Sequence, residues 1–153
     1  DSSTSRGLGD VYKRQEEVIV RYPGMVLDHD SKTLFKGFLE RRLLITRCSD
    51  CGYYIHFPRR ICPKCWSDDV SPVEVSGRGE VYLMCIYHQR PATAGMQTVL
   101  HPAVAVELVE QIGLRFTAKL VGCTRESMRI GLPVELDWED WNGAPIPVFR
   151  PEA

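Results

Sequence analysis

The clearest pattern in the sequence is an alternation of apolar and polar positions in its C-terminal half. Within 112–122 and within 130–140, the even positions carry mainly apolar side chains and the odd positions mainly polar or turn-forming ones. A period of two predicts strands with one buried face. Further apolar runs at 81–87 and 103–109 and a short segment at 148–150 are separated by turns or a loop. Five short strands of this kind predict a mainly β fold, built as a small closed sheet or barrel.

A different spacing marks the segment that begins at Ser31, where apolar residues recur along one helical face. The stripe consists of Leu34, Phe35, Phe38 and Leu39. Asp30 or Ser31 is expected to cap a helix here, although Gly37 weakens it. We therefore expect a short N-terminal helix, with two roles open for its apolar face. The favoured role is to cover the core of the same chain, and the other is to dock on a partner.

Composition places the chain among ordinary globular proteins. Of its 153 residues, 44% are hydrophobic and 25% are charged, and the net charge is −1, a common mixture. No apolar run approaches the roughly 18 residues that a membrane-spanning helix needs. Residues 1–15 lack the apolar core of a secretory signal and resemble a sequence-assembly scar, so we assign them no function. These features exclude a membrane-spanning chain and a globally basic nucleic-acid binder, and they indicate a cytoplasmic location.

Charge divides the chain near Trp66. Residues 1–66 contain 12 Lys/Arg and 8 Asp/Glu, a net of +4, whereas residues 67–153 contain 7 and 12, a net of −5. The segment 41–66 has six basic residues against one acid, which suggests an anionic partner. The expected organisation is a disordered or extended arm over 1–30, a helix and cysteine ribbon over 31–70, and a barrel domain over 71–153.

Four of the six cysteines form two closely spaced pairs. Cys48 and Cys51 flank two residues, Cys62 and Cys65 flank two more, and ten residues separate the pairs. In a reducing compartment such pairs indicate metal ligands rather than disulfides or free thiols. Four thiolates favour structural Zn²⁺, with iron in a rubredoxin-type site as the less favoured metal. A closed tetrathiolate site stabilises a fold and does not activate water.

The remaining candidates for chemistry are isolated in the sequence. Cys85 lies in an apolar strand, and both it and Cys123 are expected to be small buried hydrophobes rather than nucleophiles. His88 and His101 flank a long loop over 90–102 and are expected to be solvated. The motifs GxSxG, HExxH, GxxxxGK[ST] and GxGxxG are absent. The chain is therefore not expected to be an enzyme by itself.

The order of these features resembles one known family. After the helix come the motifs CxxCG, PRxxCPxC, SGxGxVY and GxPVE, in that order, within residues 31–140. The combination resembles the acyl-CoA-associated proteins that join a rubredoxin-like zinc ribbon to an OB-fold, long described as a domain of unknown function. The resemblance implies a five-stranded OB-fold-like barrel for the C-terminal domain.

The resemblance also implies a function. Members of the family are partner subunits of thiolase-like enzymes, namely thiolases, condensing enzymes and aldolases that cleave steroid side-chain CoA thioesters. Their helix and ribbon dock on the large enzyme, and the OB-fold helps to form the acyl-CoA channel. On this basis we expect a non-catalytic accessory subunit within an acyl-CoA lyase or acyltransferase complex of lipid or steroid metabolism.

The resemblance assigns roles residue by residue. The metal ligands are Cys48, Cys51, Cys62 and Cys65. Two residues are expected to meet CoA, Arg59 and Arg60. Six are expected to contact the partner subunit: Leu34, Phe35, Phe38, Tyr53, Tyr54 and Phe57.

Two other functions remain open on the sequence. Zinc ribbons and OB-folds also bind single-stranded nucleic acid, but here only Arg115 and Lys119 mark a basic strand face, which makes this the alternative rather than the first hypothesis. A small redox enzyme that uses iron in the ribbon is the third.

Overall fold

The computed structural model describes residues 18, 20–22, 28, 30–89 and 99–152, without the side chains of 88, 89 and 99–101. The arm expected over 1–30, including the scar at 1–15, and the loop expected over 90–102 fall largely outside these residues. Within the described ranges, no helix has the length and apolar character needed to cross a bilayer.

Helix α1 (Lys32–Leu39) is preceded by a turn that Asp28 organises. The Asp28 carboxylate accepts the backbone N–H of Ser31 at 2.6 Å and that of Asp30 at 3.0 Å. The hydroxyl of Ser31, the residue at the N-cap, accepts the N–H of Asp28 at 3.1 Å and makes no capping bond to the helix. The expected cap by Asp30 or Ser31 is therefore wrong. The bonds to Asp28, led by those with Ser31, hold the pKa of its carboxyl below its ordinary value.

Gly37 permits a close approach between the helix and the strand that follows. A Cβ at this position would lie 2.7 Å from the backbone oxygen of Arg42 and 2.8 Å from the Cγ of Leu44. The N–H of Arg42 also donates to the Gly37 carbonyl at 2.8 Å. The residue that weakens the helix therefore allows it to pack.

A small antiparallel sheet follows the helix. Its strands are β1 (Leu44–Cys48), β2 (Tyr54–Ile55) and β3 (Val70–Glu74), in the order β2-β1-β3. Thr46 lies opposite Ile55 on one side and Pro72 on the other. We call residues 44–74 the ribbon.

The predicted mainly β architecture is confirmed, because five further strands form a closed barrel. They are β4 (Arg78–Gln89), β5 (Val99–Leu108), β6 (Arg115–Leu120), β7 (Pro133–Trp141) and β8 (Ala144–Pro151). Their order around the barrel is β4-β5-β6-β8-β7. All pairings are antiparallel except β6 with β8, which is parallel.

Two of the alternating segments begin later as strands than the pattern predicts. Ile112 and Ile130, expected to face inward, are 93% and 68% exposed. Ile112 precedes Gly113, which has a φ of 82°, within a turn closed by a 2.9 Å bond from the N–H of Leu108 to the carbonyl of Leu114. The backbone reverses there before β6 starts, so the parity of the strand does not extend to Ile112.

The barrel core is built from the inward positions of its strands. The side chains that are 2% exposed or less include Val81, Val104, Val106, Val134, Val148 and Phe149. The rings of Phe116 and Phe149 meet edge to face at 6.3 Å, a favourable geometry for an aromatic pair. These side chains fill the barrel, so it is a packed core and not a channel.

The chain divides into two compact units. The first holds the described residues up to Glu74 together with Asp140–Ile146, and the second holds Val75–Glu139 with the described residues from Pro147 onward. The tip of the β7–β8 hairpin thus belongs with the first unit. The sequence pattern contains no indication of this return, because the contacts that cause it join residues far apart in the chain.

Candidate metal centre

The four paired cysteines converge at one end of the ribbon. Their Sγ atoms all lie within 4.8 Å of one another. The Sγ atoms of Cys48 and Cys65 are 3.6 Å apart, as are those of Cys51 and Cys62. A tetrahedral site with metal–sulfur bonds of about 2.3 Å has sulfur–sulfur edges of about 3.8 Å. The cluster therefore has the size and the donor set of a tetrathiolate metal site.

Two similar knuckles position the thiols. In the first, the N–H of Gly52 donates to the carbonyl of Cys48 at 3.0 Å, and Gly52 has a φ of 70°. In the second, the N–H of Trp66 donates to the carbonyl of Cys62 at 2.9 Å, and Trp66 has a φ of 65°. Sequence reasoning identified the glycine but missed Trp66, which adopts the left-handed conformation at the equivalent position at some steric cost.

The thiols differ in their surroundings. Cys48 and Cys62 are buried, Cys51 is partly buried and Cys65 is exposed. Ile55 completes the buried cluster, against which Tyr53 and Val70 pack. Burial disfavours the charged form of Cys62, but the backbone N–H groups of Cys65 and Lys64 outweigh it and lower the pKa of this thiol to about 7. Donors that support a thiolate suit a metal ligand.

None of the six cysteines forms a disulfide. Cys123 is partly buried, but Cys85 is exposed on β4, so the expectation that Cys85 is a buried hydrophobe is wrong. Among the described residues, the four ribbon cysteines are the one group of three or more His, Cys, Asp or Glu side chains placed to hold a metal. The side chains of His88 and His101 lie outside those described.

A cleft of about 340 Å³ opens on the first unit and contains both predicted CoA-contacting arginines. Its other polar lining residues are Asp30, Thr33, Thr46, Asp68 and Ser71. The Arg60 guanidinium lies 3.5 Å from the carboxylate of Asp30, and Arg59 is exposed. Val70, which packs against the cysteine cluster, also lines the cleft. The metal centre and the cleft thus share a wall.

The predicted docking aromatics of the ribbon are only partly buried or exposed. Phe57 is 67% exposed and stacks on the ring of His56 at 4.3 Å. Lys64 Nζ lies 5.8 Å from the ring centre of Tyr53, and the guanidinium of Arg47 lies 5.2 Å from that of Tyr54. Burial lowers the pKa of the neighbouring His56 to about 4.

The helix residues lie in a different environment. Leu34 and Phe38 are only 3% and 7% exposed, so the helix covers the core of its own unit, as the favoured reading expects. Phe35 is partly buried, and its ring lies 5.8 Å from that of Tyr22. A docking role for these three residues stays a prediction, which would require the segment that carries Tyr22 to move.

Two exposed apolar side chains of the ribbon were missed by sequence reasoning. Ile61 and Trp66 flank the second cysteine pair and are 51% and 79% exposed. The available signal was position: residues adjacent to metal ligands lie on tight turns, whose side chains cannot all face a small core. Together with Phe57, we call Ile61 and Trp66 the exposed ribbon residues.

The chain matches two descriptions of one protein family. Residues 35–71 match "ChsH2, rubredoxin-like zinc ribbon domain", and residues 72–139 match "ChsH2, C-terminal OB-fold domain". The chain is 38% identical over 99 residues to a "DUF35 domain-containing scaffold protein" of Methanocaldococcus jannaschii, covering 63% of this chain and 67% of that protein. It is 36% identical over 130 residues to a "Probable enoyl-CoA hydratase alpha subunit" of Thermomonospora curvata, covering 84% of this chain but only 40% of that longer protein.

Solved structures show the same similarity. A chain of the "Ltp2-ChsH2(DUF35) aldolase" aligns with a TM-score of 0.72 at 36% identity, covering 83% of this chain and 98% of that one. A DUF35 protein of unknown function from Sulfolobus solfataricus aligns with a TM-score of 0.57 at 15% identity, over 95% of this chain and 98% of that chain. The second likeness concerns the fold alone.

Proposed function

Because the chain belongs to the DUF35 family of ChsH2-type proteins, we propose that it is a non-catalytic accessory subunit of a thiolase-like acyl-CoA enzyme. The observation that carries this proposal is the 36% identity and the TM-score of 0.72 to a chain of the Ltp2-ChsH2(DUF35) aldolase. The names of the Thermomonospora and Methanocaldococcus relatives, a subunit and a scaffold protein, agree with a role alongside another protein.

The metal in the proposed function is Zn²⁺, held by Cys48, Cys51, Cys62 and Cys65. Zn²⁺ would cross-link the two knuckles and leave no open coordination position. Its role is then structural: it fixes the ribbon, whose core is too small to be stable without it. The ribbon in turn presents the cleft and the exposed ribbon residues in a fixed arrangement.

The cleft is the proposed contact for the anionic part of acyl-CoA. Arg59 and Arg60 would bind phosphate oxygens by charge-assisted hydrogen bonds. The hydroxyl groups of Thr33, Thr46 and Ser71 line the same cleft and can donate to the same ligand. Asp30, which lies 3.5 Å from Arg60, holds that guanidinium against the cleft wall while leaving its other N–H groups for a ligand.

Docking on the enzyme subunit is assigned to the ribbon surface. Tyr53, Tyr54 and Phe57 are accessible there, and Trp66 adds an apolar side chain that is 79% exposed. Large aromatic side chains flanked by cations are common at protein interfaces. In this proposal, Leu34 and Phe38 hold the helix against the ribbon and contribute to docking only through it.

The nucleic-acid alternative receives less support from the barrel surface. The two cations on β6 that motivated it each have a carboxylate partner: Arg115 lies 3.2 Å from Glu107, and Lys119 lies 2.9 Å from Glu139. Paired cations leave little net positive field for a phosphate backbone. A broad basic stripe, which such binders need, is therefore not formed by this strand.

The test of the proposed function is coexpression with the acyl-CoA enzyme subunit encoded beside it. We expect a stable hetero-oligomer by native mass spectrometry and a partner that loses activity or stability when purified alone. A chain that never associates, together with a partner that is fully active without it, would refute the proposal.

A charge reversal within that complex tests the cleft. The double variant Arg59→Glu with Arg60→Glu should raise the KM for acyl-CoA at least about tenfold, since charge-assisted hydrogen bonds contribute about 1.5–3 kcal/mol each. The matched control is Arg129→Glu, an exposed arginine of the second unit, which should leave KM unchanged. Equal effects of the two changes would remove the cleft from the proposal while leaving the accessory role intact.

A further inference from the structure

Strand β4 extends beyond one of its two neighbours. On one side it pairs with β5 from Gly79 to Gln89. On the other side it pairs with β7 only from Arg78 to Glu80, and Val81 makes the last bonds, to Leu132 and Gly131. No strand in the described part of the chain pairs with this second edge over residues 82–89. At about 3.3 Å per residue, the open edge is about 26 Å long.

The open edge is unusually apolar. Tyr82, Leu83, Met84 and Tyr87 are 47%, 53%, 39% and 61% exposed, and Cys85 is also exposed. Because neighbouring positions along a strand point to opposite faces, both faces of β4 are uncovered here. Residues 81–87 contain no charged residue and no proline. The usual devices that protect an edge strand from pairing with another chain are therefore missing.

We propose that this edge of β4 pairs antiparallel with the same edge of a second copy of the chain, about a twofold axis. A twofold interface brings a segment against itself, so any charge within it would meet a like charge. The neutral segment 81–87 carries no such penalty, whereas a charged strand would gain nothing from it. The apolar side chains on both faces then meet their counterparts across the new pairing.

This pairing also specifies a register. When residues 82–89 pair fully with themselves, Cys85 lies opposite Ile86 of the other copy. Directly opposed Cβ atoms in an antiparallel pair are about 4.5–5.5 Å apart, so the two Cys85 thiols come within reach of a short bifunctional maleimide. The reaction reports on the register independently of any change in mass.

The experiment uses the metal-loaded full chain without a partner subunit, so its result does not depend on the proposed function. Sedimentation velocity over a range of concentrations should show a monomer–dimer equilibrium. The double variant Leu83→Lys with Tyr87→Lys should weaken dimerisation about tenfold or more, because it places cations on the edge. The control Ile112→Lys, at a side chain that is 93% exposed on a turn, should leave the equilibrium unchanged.

Crosslinking completes the test. Bismaleimide should link two copies in the wild type and in Cys123→Ser, but not in Cys85→Ser. A wild type that stays monomeric at every concentration would overturn the proposal, and so would a charged variant that dimerises as strongly as the control. If the charged edge instead abolished only assembly with the enzyme subunit, self-pairing would be rejected and the edge would belong to the heteromeric contact.

Discussion

The phenol of Tyr22 donates a 2.6 Å hydrogen bond to the backbone carbonyl of Pro145, 123 residues further along the chain. The tyrosine is 1% exposed, and beside it the Arg21 guanidinium donates to the carbonyl of Gly143. These bonds hold the tip of the β7–β8 hairpin within the first compact unit. Burial raises the pKa of Tyr22 to about 12, although the nearby cation of Arg21 opposes the rise.

The raised pKa predicts a loss of stability at alkaline pH. The folded state keeps the Tyr22 proton up to about pH 12, whereas the unfolded chain releases it near a pKa of 10. The stabilisation is therefore complete below pH 10 and declines as the pH rises from 10 towards 12. Tyr22→Phe should cost about 1 kcal/mol at pH 8 through the lost hydrogen bond, and this deficit should shrink above pH 10. Urea unfolding of both proteins across this range measures it; a deficit that does not change with pH would contradict the assignment.

Loss of one thiol should abolish metal retention. Cys48→Ser or Cys65→Ser removes one of four ligands, and a ribbon that depends on its metal then unfolds. Elemental analysis of the purified variant should find less than one metal per chain, and near-ultraviolet circular dichroism should show disordered ribbon aromatics. Cys123→Ser, outside the cluster, should retain the full metal content. A soluble Cys48→Ser protein that still binds the enzyme subunit would show that the metal is dispensable.

Gly79 is the glycine for which the barrel leaves least space. A Cβ there would lie 2.2 Å from the backbone oxygen of Glu107 and 2.7 Å from Cγ1 of Val106. Gly79→Ala should therefore lower the free energy of unfolding by about 3 kcal/mol, since the strand pair must separate to admit the methyl group. Gly113→Ala has open space around it but a φ of 82° and should cost only about 1 kcal/mol. Thermal denaturation ranks the two; the opposite order would be inconsistent with the packing described.

Leu34 and Phe57 separate a core role from a docking role. Leu34→Ala removes a side chain that is 3% exposed and should lower the free energy of unfolding by roughly 2–5 kcal/mol, while the affinity for the enzyme subunit changes little below the melting temperature. Phe57→Ala, at 67% exposure, should do the reverse, with stability within about 0.5 kcal/mol of wild type. Titration calorimetry with the partner subunit, paired with melting curves, checks both, and a Leu34→Ala protein that melts normally but does not bind would restore the helix as a docking element.

Local chemistry in the sequence is sufficient for the metal centre and the strand pattern. The spacing of Cys48, Cys51, Cys62 and Cys65 places two thiols on each tight turn, and little freedom remains once the pairs meet. The alternation within 112–122 and 130–140 encodes strands with one buried face, because side chains of a strand alternate between its faces. Both signals act over a few residues, and a single sequence records them in full.

Only the tertiary structure determines which surfaces are left uncovered. The return of the hairpin tip to Tyr22, the burial of Phe38 against the ribbon and the open edge of β4 each depend on segments that are far apart in the chain. Ile112 and Cys85 have apolar side chains in apolar surroundings, yet one lies on a turn and the other on an edge that lacks a neighbour. Burial is a property of the packed arrangement, since the same residue is covered or exposed according to what another part of the chain places against it.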